Sequence, residues 1–259
     1  LNYQHKTLVK ICGRPLLGFL TDELKRAGMK NIVIVQNAKR GIERELKDDC
    51  LEYVIQNKPT GEGDAILTAA KMIKRGPFFA INAEESTGAA LQVKRILKTA
   101  KEERVKLVIS ASQTKTPWLF GMLRLKRKKV VEIIEKPKPG QEPSSLKNNN
   151  FFLLPHNFIT YLRKIPHHPF SSIFALNLYL KENPAAICLT EKIVLKYPWH
   201  ALCFLKSKLT DPAFKKKIAK SAAIGRNAVI KGRVVIGKNT VIGDNATIIG
   251  PCYIGADCR

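Results

Sequence analysis

The sequence predicts an α/β domain with a mostly parallel, doubly wound sheet, followed by a hexapeptide-repeat parallel β-helix. Three observations carry that expectation. Short apolar strand-like runs alternate with helix-period runs over most of the first two hundred residues, the pattern of crossover connections in a parallel sheet. From residue 218 an isoleucine returns every sixth residue. Between these regions, around 208–217, the composition turns basic and polar. The division is therefore 1–207 for the α/β domain, 208–217 for a linker and 218–259 for the repeat.

The elements follow in order. Pro15 to Gly28 reads as a helix, with Leu16, Leu17, Leu20, Leu24 and Ala27 on one face and Gly28 as its stop. Asn31 to Val35 is a buried strand, Gly41 to Lys47 a short polar helix and Tyr53 to Gln56 the next strand. Pro59 to Asp64 forms a loop into a helix from Ala65 to Ile73. Phe78 to Asn82 is a strand, Ala89 to Glu103 a helix and Lys106 to Ser112 a strand. Gly121 to Leu125 and Val130 to Ile134 form a hairpin around a basic turn. Residues 138–149, rich in Pro, Gly, Ser and Asn, are expected as a loop before a strand at Phe151 to Leu154. Asn157 to Arg163 and Ser172 to Lys181 are expected as helices; residues 187 to about 205 give no clear period.

In the repeat, Ile218, Ile224, Ile230, Ile236, Ile242, Ile248 and Ile254 each open a six-residue unit. The fifth place holds Ala222, Ala228, Val234, Thr240, Ala246, Cys252 or Cys258. Gly225, Gly237, Gly243 and Gly255 stand in the second place. A period of six fits neither a helix nor a single strand, but it fits a coil of short strands with the isoleucines stacked inside. Gly, Asn and Asp then supply the turn geometry. Cys252 and Cys258 read as packing residues. At ~18 residues per turn, these residues make about two coils.

The formal net charge is +24. Residues 1–217 carry 39 basic and 19 acidic side chains, and 218–259 carry 6 and 2, so the excess is spread along the chain. The densest runs are Lys126-Arg127-Lys128-Lys129 and Lys215-Lys216-Lys217. They read as solvated basic faces in preference to a nucleic-acid surface, because no aromatic stacking platform accompanies them. No apolar stretch is long enough to span a membrane. The six cysteines form no CxxC pair and no zinc spacing, so a reducing cytoplasm is the simplest setting.

Short segments carry a family resemblance. His5-Lys6-Thr7-Leu8-Val9-Lys10-Ile11-Cys12-Gly13-Arg14-Pro15-Leu16-Leu17 resembles the "PKPLLPVAGKPLL" segment of the sugar-1-phosphate nucleotidylyltransferases. Gln56-Asn57-Lys58-Pro59-Thr60-Gly61 resembles their "QxxPxG" segment, Phe120-Gly121 their "YGV" and Glu135-Lys136-Pro137 their "EKP". Asn148 lies near the "NAGIY" position, and Pro198-Trp199 resembles "PWDLL". The order is kept over roughly residues 4–205. The hexads resemble the tails of bifunctional and archaeal members, similar to UDP-N-acetylglucosamine pyrophosphorylases and glucose-1-phosphate thymidylyltransferase-like proteins.

The resemblance implies a Rossmann-like nucleotidyltransferase domain, a left-handed β-helix and Mg²⁺-dependent attack of a sugar-1-phosphate on the α-phosphate of a nucleoside triphosphate. Lys6 would face the nucleotide phosphates and Lys136 the sugar phosphate, as point charges with rotatable donors. Gln56 and the Gly61 backbone would hold the base. Gly121, Glu135, Lys136 and Asn148 would form the sugar-phosphate side. The β-helix would join subunits into a homo-oligomer, such as a trimer.

Departures qualify this. The Gly-rich phosphate loop expected upstream of Lys6 is not in the sequence, which opens at Leu1, and the last hexad stops at Arg259 without a cap. Both ends are expected to be truncated. The metal-binding "GD" reads Ala83-Glu84, so Glu84 is the candidate Mg²⁺ ligand. "LTDA" reads Ser172-Ile173-Phe174-Ala175, and the late metal Asp is replaced near Val194-Leu195-Lys196. No His lies in 218–259, so these coils lack the usual general base for acyl transfer; such a site would lie beyond Arg259. The alternative to an active enzyme is a catalytically degenerate member with a regulatory or scaffolding role.

Overall fold

The computed structural model describes residues 6–84, 88–127, 129–190, 197 and 199–259. The chain forms two compact units, Leu1–Leu8 with Leu17–Val194, and Val9–Leu16 with Leu195–Arg259.

The short strands β1 (Lys10–Ile11) and β2 (Arg14–Pro15) belong to the second unit; in the first, α1 (Leu16–Arg26, from Leu17 on) leads to β3 (Ile32–Asn37), α2 (Gly41–Glu45) and β4 (Leu51–Gln56). Then come α3 (Glu62–Ala69), β5 (Phe78–Ile81), α4 (Ala89–Glu102), β6 (Leu107–Gln113), β7 (Gly121–Lys126), β8 (Lys129–Glu135), β9 (Leu146–Leu154), α5 (Phe158–Arg163), α6 (Ser171–Glu182) and β10 (Ala185–Leu189). Gly28 ends α1 as expected. Its N–H reaches the Lys25 carbonyl at 2.9 Å and the Met29 N–H reaches that of Leu24 at 3.0 Å, the Schellman arrangement. Lys25 also pairs with Asp48, fastening α1 to the segment before β4.

β3 and β4 form a two-stranded parallel sheet of their own, and the six-stranded sheet of β5–β10 is mixed, where one mostly parallel sheet was expected. β3 and β4 pair parallel, as do β6 and β10. β9 runs antiparallel between β5 and β6 and also pairs with β7, which forms the expected hairpin with β8. Alternation along the strands builds two faces. Leu107, Ile109, Phe152, Leu154 and Ala185 share one core with Phe158 and Leu162 of α5 and Ile173 and Leu176 of α6. Val108, Phe151, Leu153 and Ala186 share another with Leu20 and Leu24 of α1 and Val93 and Ile96 of α4. Helices thus cover both faces.

β9 starts earlier than its apolar residues indicate, because its first half is polar yet buried. Asn149 is fully buried. Its amide donates to Ser110 Oγ at 3.3 Å and Thr190 Oγ1 at 3.2 Å, and its Oδ1 accepts from Ser112 Oγ at 2.9 Å. With these partners a polar residue sits in the sheet without a large desolvation cost.

In the second unit, α7 (His200–Thr210) precedes β11 (Lys217–Ile218), β12 (Ala223–Ile224), β13 (Val229–Lys231), β14 (Val234–Ile236), β15 (Val241–Ile242), β16 (Thr247–Ile249) and β17 (Cys252–Ile254). Every pairing among β11–β17 is parallel at a constant offset of 18 residues: Ile218 beside Ile236, Ile224 beside Ile242, Ile230 beside Ile248 and Ile236 beside Ile254. Three hexads thus make one coil, as a parallel β-helix requires. Val234, Ile236 and Ile242 are its buried centre, packed by Ala222, Ala228, Ile230, Ala246, Ile248, Cys252 and Ile254.

The turn chemistry divides more finely than expected. Asn227, Asn239, Asn245 and Asp257, all in the fourth place, take the left-handed backbone, which Asn and Asp tolerate. Two of the second-place glycines, Gly225 and Gly237, serve close approach between coils. A Cβ on Gly237 would lie 2.4 Å from the Gly255 carbonyl carbon, and one on Gly225 would lie 2.5 Å from the Asp244 nitrogen.

Candidate active site

The candidate residues lie in the first unit, several of them in the segments that follow β4, β5 and β8. Crevices outside the carboxyl ends of strands are where open α/β sheets bind ligands. Gln56 ends β4, and its side-chain amide donates to the Gly61 carbonyl at 3.3 Å and to Asp64 Oδ2 at 2.6 Å. Gly61 is the residue before α3, which begins at Glu62, three residues earlier than its apolar pattern indicates. The Gly61 backbone has φ +142, and a Cβ there would meet the Pro169 carbonyl oxygen at 2.6 Å.

Glu84 follows β5 and pairs with Lys6, Nζ to Oε2 at 3.3 Å. Both side chains remain partly solvated, at 57% and 29% exposure. Such a pair contributes little on its own and can open to admit an anion. Asn82 is the hub that sequence reasoning missed. Its Oδ1 accepts from the Glu84 backbone N–H at 3.1 Å, and its Nδ2 donates to Glu62 Oε1 at 3.3 Å. Its own N–H donates to the Asn150 carbonyl at 2.9 Å. Asn148 joins there: Nδ2 donates to Asn150 Oδ1 at 2.7 Å, and Oδ1 accepts from the Asn150 N–H at 2.8 Å. Lys6, Glu84, Asn148 and the start of α3 are thereby linked.

On the other side, Gly121 and Glu135 face each other across the β7–β8 pair. A Cβ on Gly121 would lie 2.7 Å from Glu135 Oε2. The Lys136 N–H donates to the Phe120 carbonyl at 3.0 Å, and its ammonium lies 5.5 Å from the Phe170 ring centre. Phe170 follows Pro169, so Lys136 reaches the Gly61 loop by way of that ring. The structure thus places Lys6, Glu84 and Asn148 in one hydrogen-bonded group that reaches Glu62, and Gln56 with Gly61 in another; the two meet along the chain at Gly61–Glu62, and Gly121, Glu135 and Lys136 are tied to them more indirectly. Besides Asn82, sequence reasoning missed Asp64, Glu62, Asn150 and Phe170. Three consecutive asparagines, 148–150, were the available signal for part of this network.

Glu84 suits Mg²⁺ as one member of an oxygen shell that substrate phosphates complete, a common mode for this ion. Among the described residues no three His, Cys, Asp or Glu side chains converge as a metal cage. The second position where the family motif places a carboxylate, Val194-Leu195-Lys196, lies outside the described residues, as does Pro198.

A family model described as nucleotidyl transferase matches residues 2–193. The chain belongs to this nucleotidyl transferase family. It is 26% identical over 162 residues to the bifunctional protein GlmU of Methanococcus maripaludis, covering 62% of this chain and 37% of that protein. It is 27% identical over 244 residues to a bifunctional sugar-1-phosphate nucleotidylyltransferase/acetyltransferase of Sulfurisphaera tokodaii, covering 89% of this chain and 56% of that protein. The chain therefore spans only part of these relatives. In three dimensions it resembles a UDP-glucose pyrophosphorylase of Acinetobacter baumannii, with TM-score 0.71, 16% identity, and 82% of this chain and 88% of that one covered. At that identity the likeness establishes the fold.

Proposed function

We propose that the chain is a nucleotidylyltransferase that forms a nucleotide sugar and pyrophosphate from a nucleoside triphosphate and a sugar-1-phosphate. The observation that carries this reading is the pair of hydrogen-bonded groups that meet at the start of α3, Lys6, Glu84, Asn82 and Asn148 reaching Glu62 and Gln56 holding Gly61, in a chain whose family is nucleotidyl transfer. An oxygen of the sugar phosphate forms a bond to the α-phosphorus, and the bond from that phosphorus to the β-phosphate bridging oxygen breaks. Pyrophosphate leaves with the electron pair. The residues supply positioning and charge, which is most of what phosphoryl transfer needs. Lys6 releases Glu84 to meet the triphosphate, Lys136 holds the sugar phosphate, Gln56 and Gly61 hold the base, and Asn148 with the Gly121–Glu135 edge receives the sugar. Mg²⁺, held by Glu84 and the phosphates, would neutralise charge on the leaving pyrophosphate.

A second reading has its own observation. The phosphate-binding cation and the metal-binding carboxylate neutralise each other in the Lys6–Glu84 pair, the state expected of a degenerate member retained for regulation or scaffolding. Pyrophosphate release from a panel of nucleoside triphosphates and sugar-1-phosphates with Mg²⁺, beside Lys136→Ala, separates the two. Release that needs one sugar phosphate and collapses in the variant supports catalysis; no release from any pair supports the second reading.

The finer architecture belongs to the same proposal. The coils, whose 18-residue register fits a parallel β-helix, wind left-handed and join subunits into a homo-oligomer, a reading supported by the family resemblance. The six unpaired cysteines suit a reducing cytoplasm. Among the described residues no helix is long and apolar enough to cross a membrane. The two basic runs are read as solvated faces, not as nucleic-acid contacts.

A further inference from the structure

We infer that Lys147 is a positioning residue for the sugar-1-phosphate, acting through the ring of Phe120 on Gly121 and Lys136; the inference rests on the nucleotidylyl-transfer reading above. Lys147 stands in the buried polar half of β9, one residue before Asn148, and is only 6% exposed. A lysine is seldom buried to that degree, because taking its ammonium out of water is costly unless partners meet the charge. Its partners across the sheet are Ser112 of β6 and Met122 of β7. Its ammonium lies 4.3 Å from the centre of the Phe120 ring. That is within the ~6 Å reach of a cation–π contact, which strengthens where water is excluded.

Phe120 passes that constraint on through its backbone. Its N–H donates to the Pro117 carbonyl at 3.1 Å, and its carbonyl accepts from the Lys136 N–H at 3.0 Å. Lys136 takes the left-handed backbone, with φ 47, a conformation that a residue with a side chain keeps only where its surroundings hold it. Gly121 follows Phe120 directly and pairs across the hairpin with Glu135. One ring thus ties a buried cation on β9 to Gly121, Glu135 and Lys136, the residues assigned to the sugar phosphate. Lys6, Gln56 and Gly61, assigned to the nucleotide, lie in other groups. Removing the ammonium frees the ring, and the Phe120 carbonyl and Lys136 move with it. Small displacements of a binding group are costly in catalysis. A lysine needed only for packing would instead affect stability and both substrates alike.

Steady-state kinetics of pyrophosphate release with Mg²⁺ test this, with glucose-, galactose-, mannose- and N-acetylglucosamine-1-phosphate each run against UTP, dTTP, GTP, ATP and CTP. Lys147→Met keeps the length of the side chain and removes its charge. Phe120→Leu removes the ring, and Phe120→Tyr keeps it. Lys147→Met and Phe120→Leu are each expected to raise KM for the sugar-1-phosphate about tenfold, with KM for the triphosphate held within about twofold. The double variant is expected to be no worse than the poorer single one, because both substitutions remove the same contact. Phe120→Tyr is expected to keep the unaltered KM, and its comparison with Phe120→Leu carries the test if Lys147→Met does not fold. An unchanged sugar-phosphate KM in Lys147→Met, equal rises in both KM values, losses that multiply in the double variant, or equal KM rises in Phe120→Leu and Phe120→Tyr would each overturn the inference and leave the transferase reading in place. No release from any pair by the unaltered protein would overturn the transferase reading and the inference with it.

Discussion

Gly61→Ala isolates the contact that holds the base loop against the turn before α6. An added methyl would sit 2.6 Å from the Pro169 carbonyl oxygen and 2.9 Å from that of His168. Both are backbone atoms, so relief requires that turn to move. The backbone there has φ +142, a region that side chains resist at about 1–3 kcal/mol, and overpacking adds about 1–3 kcal/mol. Gly76 provides the control: its φ is +119, but a methyl there meets nothing within 4 Å. Gly76→Ala should show the backbone cost alone, and Gly61→Ala roughly twice as much. For a unit of this size, each kcal/mol lowers the melting midpoint by roughly 2–4 °C. Thermal unfolding followed by circular dichroism reads both variants side by side, and nucleotide binding should weaken in Gly61→Ala alone. Equal midpoint losses with equal binding would refute the packing argument.

The remaining predictions concern the core, the coil and acid stability. Asn149→Ala removes the three hydrogen bonds to Ser110, Ser112 and Thr190 in a buried site and should cost about 1–3 kcal/mol by denaturant titration. Ile236→Ala removes a side chain only 1% exposed at the centre of the β-helix and should cost about 2–5 kcal/mol. Gly237→Ala should disrupt stacking of adjacent coils, read as lost amide-exchange protection in 217–259 with protection in β6 and β9 kept. The hydrogen bond from Lys25 holds the Asp48 carboxyl below its ordinary value, with the Cys50 N–H assisting. A lowered folded value means that this stabilisation is present above the unfolded carboxylate range and is lost as pH falls through the folded value. Asp48→Asn should therefore flatten the stability profile on the acid side, measured as the denaturation midpoint from pH 6 to pH 2.

The coil was legible in the sequence because each hexad place does a single physical job, with Ile filling the interior and Asn or Asp turning the chain. Helix α1 and the β7–β8 hairpin were legible for similarly local reasons, a stop at Gly28 and a basic turn. The antiparallel insertion of β9 was not, because it depends on partners far away in sequence. Its first half was hidden further by Lys147, Asn148 and Asn149, which look like loop residues until their buried partners are known. β10 and α7 lay in the segment without a clear period. β10 is only five residues long, too short for alternation to mark, and α7 keeps Leu202 exposed while burying Phe204, which blurs its helical stripe. For the candidate site, motif order proposed Lys6, Gln56, Gly61 and Glu84. The hub Asn82 and the donor-consuming Asp64 matter only through geometry, and no motif announced them.

The central claim is nucleotidylyl transfer, and following the α-phosphorus tests it most directly. The protein, with Mg²⁺ and its preferred triphosphate labelled at the α-position, is incubated with sugar-1-phosphates and the products are separated. The account predicts that the label moves into a nucleotide sugar only when a sugar-1-phosphate is present, with one unlabelled pyrophosphate released per transfer. Label that stays in the triphosphate with every sugar phosphate, or leaves as free monophosphate, would contradict it.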